Sequence, residues 1–253
     1  MRKTLRKLYL DLFGTFAKPA RGVHILNGHY LSRTNGQAGV FQAQLSSLQK
    51  MCRLIRIEEA VSLIVNQAKV NEPLVAFTFD DGFEECATGI APVLESFNIN
   101  AAFFINPNFI DGDSAYRDDF LTNIVDTPIK RPMTWEQIGE LHKRGHVIGS
   151  HALDHVRLLM DDPAILNLQL QKSRQIIEAK INAPCECFAY PFGGMHDLSD
   201  TALALARKQY KYIFSQSDHR HNVSFGGAVI NRRHFEPYWP VSHVNYFLSV
   251  KKS

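Results

Sequence analysis

A chain of 253 residues, 45% hydrophobic and 21% charged, holds enough apolar material for one large domain or two small ones. Its net charge of +3 is too small to suggest nucleic-acid binding, and no apolar run approaches the length of a membrane span. Its four cysteines (Cys52, Cys86, Cys185 and Cys187) are few and scattered, which argues against a disulfide framework or a zinc knuckle and for ordinary thiols in a reducing compartment.

The chain opens with MRKTLRKLYLDLFGTFAKPARG. Asp11 interrupts its apolar part and no small-x-small cleavage site follows cleanly, so the stretch reads as an amphipathic helix and not as a signal peptide. Leu5, Leu8, Tyr9, Leu12, Phe13 and Phe16 follow helical spacing, with Arg2, Lys3, Arg6 and Lys7 off that stripe. Such a helix suits either an anionic membrane surface or the domain's own flank. Residues 1–22 are therefore set apart as a basic amphipathic segment, with residues 23–253 as a single domain.

Seven β-rich apolar runs follow: 23–27, 75–79, 101–105, 146–150, 187–190, 212–215 and 228–231. Helical patterns lie between most of them, at 40–52, 57–68, 84–97, 134–145, 162–182 and 198–210. The fourth of these opens with Thr134-Trp-Glu-Gln137, a capping box. Residues 106–133 read as a long loop that carries Asp118 and Asp119. Alternation of strand and helix predicts an α/β fold, a distorted (β/α) barrel of about seven parallel strands with helices outside.

Chemistry in parallel barrels sits at the C-terminal ends of strands, and here those ends are unusually polar. His29 follows the first run, Asp80 and Asp81 the second, His151 and His155 the fourth, Pro191-Phe192-Gly193 the fifth, and Arg232 and Arg233 the last. Two adjacent carboxylates at the end of a buried strand repel each other and are costly to desolvate, which points to a cation nearby. His151 and His155, four residues apart, can face one way. Two imidazoles and a carboxylate with open positions form a ligand set for catalytic zinc, and the same set suits iron, cobalt or nickel. Adjacent aspartates on a strand point to opposite sides, which allows one to hold the metal and the other to face the reacting water.

Together these residues resemble the NodB-homology polysaccharide deacetylases, carbohydrate esterase family 4. Thr78-Phe-Asp-Asp-Gly82 resembles the first motif of that family. Gly149-Ser-His151, with His155 beyond it, resembles the second, and Phe188-Ala-Tyr-Pro-Phe-Gly193 the third. The resemblance implies that Asp81, His151 and His155 hold a divalent metal, with zinc first, and that Asp80 is the general base. It also implies that the Phe192 amide helps to stabilise the oxyanion. The Leu-x-x-His motif carrying the general acid is found near the N-terminus as Leu26-Asn-Gly-His29, as in a permuted branch of the family, and makes His29 the acid.

The sequence departs from the family pattern in two places. Ala152 stands where Ser or Thr is usual, with little effect expected. Ala189 stands where an arginine often orients the base, so Arg232 or Arg233 is expected to supply that guanidinium. His234, Tyr238, Trp239 and His243 are candidates for a sugar cleft or for plain packing.

The expected activity is removal of an N-acyl group, acetyl first, from an amino sugar of a glycan biosynthetic intermediate. A lipid-linked glycan would suit residues 1–18, and the expected location is the cytoplasm or the inner face of a membrane. Three rivals use the same residues. They are a hydrolase of N-formyl sugars or cyclic amides or imides, a glycan-binding module without catalysis, and an iron oxygenase with two histidines and a carboxylate.

Overall fold

The computed structural model describes residues 2–34, 38–218 and 220–251, with side chains from residue 5 onward. The chain begins with α1 (Arg2–Phe16), then β1 (Gly22–Gly28), α2 (Ala38–Leu48), β2 (Arg53–Leu54), α3 (Ile57–Val65) and β3 (Pro73–Phe79). A π-helical turn and α4 (Ala91–Ser96) lead to β4 (Ala101–Ile105), α5 (Pro107–Asp111), α6 (Ser114–Asp119) and a second π-helical turn. Next come α7 (Trp135–Lys143), β5 (Val147–Ser150), α8 (Pro163–Asn167), a third π-helical turn, α9 (Ser173–Ile181) and β6 (Cys187–Ala189). The chain continues through α10 (Asp200–Gln209), β7 (Tyr212–Ser215), β8 (Val223–Ser224), β9 (Val229–Asn231), β10 (Arg233–His234) and α11 (Val241–Leu248).

All ten strands join one sheet in the order β10-β1-β3-β4-β5-β6-β7-β9-β8, with β2 paired beside β3. Its pairings are parallel except for β8 with β9. The seven runs read from sequence became β1, β3, β4, β5, β6, β7 and β9; the three strands not read, β2, β8 and β10, have two residues each, too few to show periodicity. The expected loop at 106–133 instead contains α5, α6 and a π-helical turn, because Phe109 and Phe120 bury themselves by stacking at 4.1 Å.

Pleat alternation divides each strand between two cores. Val75, Phe77 and Phe79 of β3 and Phe103 and Ile105 of β4 face the layer of outer helices. Ala76 and Leu74, with Ala102 and Phe104, face the other side, where Ile57, Ala60, Val61 and Ile64 of α3 meet them. Fully burying a Phe or Ile side chain contributes about 1.5–3 kcal/mol, so these two layers are the main stabilising elements of the curled sheet.

The sheet is closed by a peptide link. β9 ends at Asn231 near one edge, and β10 begins at Arg233 on the opposite edge, beside β1. Arg232 is the seam between them.

Helix α1 docks on α11 through Gly14, where an added Cβ would come within 1.9 Å of the Ser242 carbonyl oxygen. His243 Nε2 lies 2.8 Å from Asp11 Oδ1, so His243 serves this helix contact and not a sugar cleft. The predicted apolar stripe does not face inward. Leu10 is buried, whereas Leu12 is 61% and Phe16 78% exposed, and Leu5, Leu8, Tyr9 and Phe13 are exposed with them. The side chains of Arg2 and Lys3 lie outside the described residues.

Candidate active site

At the C-terminal ends of the strands a cavity of about 370 Å³ is lined by His29, Asp80, Asp81, His151, His155 and Phe192, among others. A larger cavity, about 570 Å³, lies at the other end, where Val147, Cys187 and Tyr212 start their strands, and it holds no comparable carboxylate–imidazole cluster among the described residues.

Asp80 continues the inward-facing column of β3, above Ala76 and Thr78. Arg232 clamps it from the seam: Nη1 donates to Asp80 Oδ1 at 2.8 Å and Nη2 to Oδ2 at 2.9 Å. Asn27 Nδ2 also donates to Oδ2 at 2.9 Å. The guanidinium is fully buried between Phe104 and Phe214, and its Nε donates to the Ser215 carbonyl at 2.8 Å. Burial pushes the Asp80 carboxyl up, but the charge and hydrogen bonds of Arg232 overcome this and hold it well below the usual carboxylate range.

Arg233 does not join the site. One residue further along, it falls on the opposite face of the strand, where its guanidinium lies 4.8 Å from the Phe247 ring centre. Of the two arginines left open by the sequence, the structure brings only Arg232 to Asp80.

Asp81 diverges from Asp80 by a turn, not by pleating. β3 stops at Phe79, and Asp81 sits at φ +73° with Gly82 at φ +82°. This swings the Asp81 carboxylate toward the segment after β5. That segment is a loop, not a helical turn, and Ala152 and His155 have positive φ. Asn106 Nδ2 and Ser173 Oγ donate to the Ala152 carbonyl at 3.3 and 3.2 Å, and Gln169 Oε1 accepts from the Leu153 and Asp154 amides at 3.1 Å. These bonds hold the loop without a hydroxyl at position 152.

The three ligand-type atoms of Asp81, His151 and His155 lie within 4.8 Å of one another and all three residues are buried. Asp81 Oδ1 is 3.5 Å from His151 Nε2 and 3.3 Å from His155 Nε2. His151 Nδ1 donates to the Ala189 carbonyl at 2.7 Å, which leaves Nε2 with its lone pair toward Asp81. Burial pushes the His151 imidazole down to about 4, so it is neutral at pH 7. Asp81 Oδ1 is buried and has no hydrogen-bond partner among the described residues. Lone pairs converging on one point need a cation to be favourable, and ligands of a tetrahedral zinc stand about 3.3 Å apart. The residues fit a divalent metal.

His29 closes the other side of the cavity. Its Nδ1 pairs with Glu236 Oε1 at 2.7 Å, which leaves Nε2 for the cavity. Burial pushes the imidazole down, but the charge and hydrogen bond of Glu236 raise it to about 9. Phe192 sits at φ +64° between Pro191 and Gly193, and its N–H has no protein acceptor among the described residues. Gly193 is obligatory: at φ +66° an added Cβ would come within 2.6 Å of the Gln216 backbone nitrogen. Tyr238, Trp239 and His234 line the rim, as does Tyr30, which stacks on Tyr238 at 6.0 Å.

Sequence reasoning missed Asn27 and Glu236. Asn27 lies inside Leu26-Asn-Gly-His29, where alternation from Ile25 marks an inward polar residue that could have been noticed. Glu236 follows the last strand in irregular chain and has no periodic signal.

A profile of the polysaccharide deacetylase family matches residues 67–213. The Bacillus subtilis (strain 168) protein YxkH, which carries a polysaccharide-deacetylase name, is 24% identical over 136 residues; the match covers 54% of this chain and 43% of YxkH, less than half of that relative's length. The structure of IcaB from Ammonifex degensii superposes with a TM-score of 0.70 at 21% identity, covering 92% of this chain and 99% of that one. The Streptococcus pyogenes deacetylase PplD in complex with acetate gives 0.68 at 17% identity, covering 91% and 99%. At these identities the structural likeness establishes the fold, a curled, mostly parallel (β/α) half-barrel.

Proposed function

The chain belongs to the polysaccharide deacetylase family, and on that premise we propose that it is a metal-dependent hydrolase that removes an N-acyl group, acetyl first, from an amino sugar of a glycan. The observation that carries the metal dependence is the buried, unpartnered Asp81 Oδ1 facing two imidazole nitrogens beside a clamped Asp80.

Asp81, His151 and His155 would hold the divalent cation, zinc first, with iron, cobalt and nickel compatible with the same donors. Once bound, such a cation polarises an acyl carbonyl and acidifies water. Asp80, kept ionised and oriented by Arg232 and Asn27, accepts a proton from the attacking water. Arg232 also makes it a weak base, one that depends on water of raised acidity. The Phe192 N–H donates to the acyl oxygen as negative charge develops there. His29, protonated through its pairing with Glu236, gives its proton to the departing amine. The aromatic rim of Tyr30, Tyr238 and Trp239 suits stacking against sugar faces.

Metal content and acyl release, measured together on N-acetyl and N-formyl amino-sugar substrates, test this reading. One ion per chain, lost with acyl release in Asp81→Asn, supports it; wild-type protein that takes up no divalent metal refutes it. Formyl release without acetyl release would change the acyl group and keep the site.

The partner we propose for α1 is the anionic, cytoplasmic face of a membrane, which would bring a lipid-linked glycan to the cavity. Support comes from the outward apolar stripe, from exposed Arg6, Lys7 and Lys18 beside it, and from the engagement of Asp11, the only acid in residues 1–22, with His243. No helix among the described residues is long and apolar enough to cross a membrane.

A further inference from the structure

A second set of donor atoms lies in the same cavity, on the side away from Asp81. His29 Nδ1, His234 Nε2 and a Glu236 oxygen fall within 4.8 Å of one another. β1 and β10 pair in parallel with Asn27 opposite His234, which sets the two imidazoles side by side with ring centres 5.5 Å apart. Glu236 Oε1 is 2.7 Å from His29 Nδ1 and 3.7 Å from His234 Nε2, so one carboxylate oxygen faces imidazole nitrogens from two strands. Ligands around a tetrahedral zinc stand about 3.3 Å apart, so shifts on the order of 1 Å suffice. Gln216 Nε2 lies 2.8 Å from His234 Nδ1 and donates to it, which leaves the ring proton on Nε2; turning the Gln216 amide to present its oxygen would move that proton to Nδ1 and free the Nε2 lone pair for a cation.

We propose that His29, Glu236 and His234 form a second divalent-cation site, weaker than the first, and that zinc bound there inhibits the enzyme. The inhibitory part rests on the reading of His29 as the general acid. On binding, zinc takes the place of the His29 Nδ1 proton, which leaves to solvent. An imidazolium becomes a neutral imidazole coordinated through Nδ1. Its remaining Nε2–H is far too weak an acid to protonate a departing amine, and hydrolysis stalls. The site is the weaker one because one ligand, His234, is 43% exposed to solvent and because a cation on Asp81 repels a second in the same cavity.

The test is equilibrium dialysis of the full chain against buffers of fixed free zinc, with elemental analysis and acyl release read on the same samples. Wild type should bind one zinc at low free zinc and two at high, with activity falling at least about tenfold across the second step. His234→Ala, and separately His234→Gln, should bind one, and the ratio of activity at high to low zinc should stay near unity in each. Asp81→Asn should lose the tight ion and keep the weak one. A stoichiometry of one at every zinc concentration, or a second ion that persists in both His234 variants, would overturn the site. A second ion without inhibition would overturn its effect on the reaction. Failure of Asp81→Asn to lose the tight ion would count against the catalytic metal centre and not against this one.

Discussion

Asp80 and Asp81 share a peptide bond and differ in their surroundings: Arg232 clamps the first, while the second faces two imidazole nitrogens. Asp80→Asn should therefore keep its metal and lose about 10²–10⁴-fold in acyl release, as measured by elemental analysis beside kinetics. His29 makes a pH prediction. Its folded value of about 9 lies above the free value of 6.5, so its pairing with Glu236 adds stability that is complete below pH 6.5 and lost as pH rises through about 9. In Glu236→Gln the alkaline limb of the rate profile should move down toward 6.5; an unmoved limb would remove His29 from the acid role. The residues legible in the sequence were those standing at strand ends, namely His29, Asp80, Asp81 and His151, together with His155 four residues beyond His151. The choice between Arg232 and Arg233 was not legible, because it depends on which face of the strand each residue occupies, and that is fixed by register.

Elements show a similar division. Every strand longer than three residues was visible as an apolar run, because strands buried on both faces are mostly apolar, and the buried Asn27 and Thr78 hydrogen-bond within the sheet. The helix expected over 162–182 is in fact α8 and α9 separated by a π-helical turn, and Gln169 within that turn holds the histidine loop. Apolar spacing cannot reveal one inserted residue. The contact between α1 and α11 has a sharper test. Gly14→Ala forces a Cβ into the Ser242 carbonyl and should cost about 1–3 kcal/mol, read as a lower urea midpoint with earlier exchange of the α1 amides. Unchanged protection would mean that α1 does not rest on α11 in solution.

On the scale of the molecule, α1 gives a further prediction. Leu12→Glu with Phe16→Glu removes outward apolar groups and packs nothing differently, since both side chains are exposed. Sedimentation with anionic vesicles should be lost in this variant and weakened by salt in wild type, while acyl release from a soluble substrate should continue. Equal sedimentation of both proteins would refute the membrane partner. The barrel itself was legible from alternation of strand and helix, but its closure was not, since nothing in the sequence marks Arg232 as the link between the two edges of the sheet. That link orders events in time as well as in space. Asp80 is synthesised 152 residues before the guanidinium that clamps it, and β1 waits longer still for β10, its neighbour at the sheet edge. A growing chain on the ribosome thus carries Asp81, His151 and His155 well before the guanidinium that clamps Asp80.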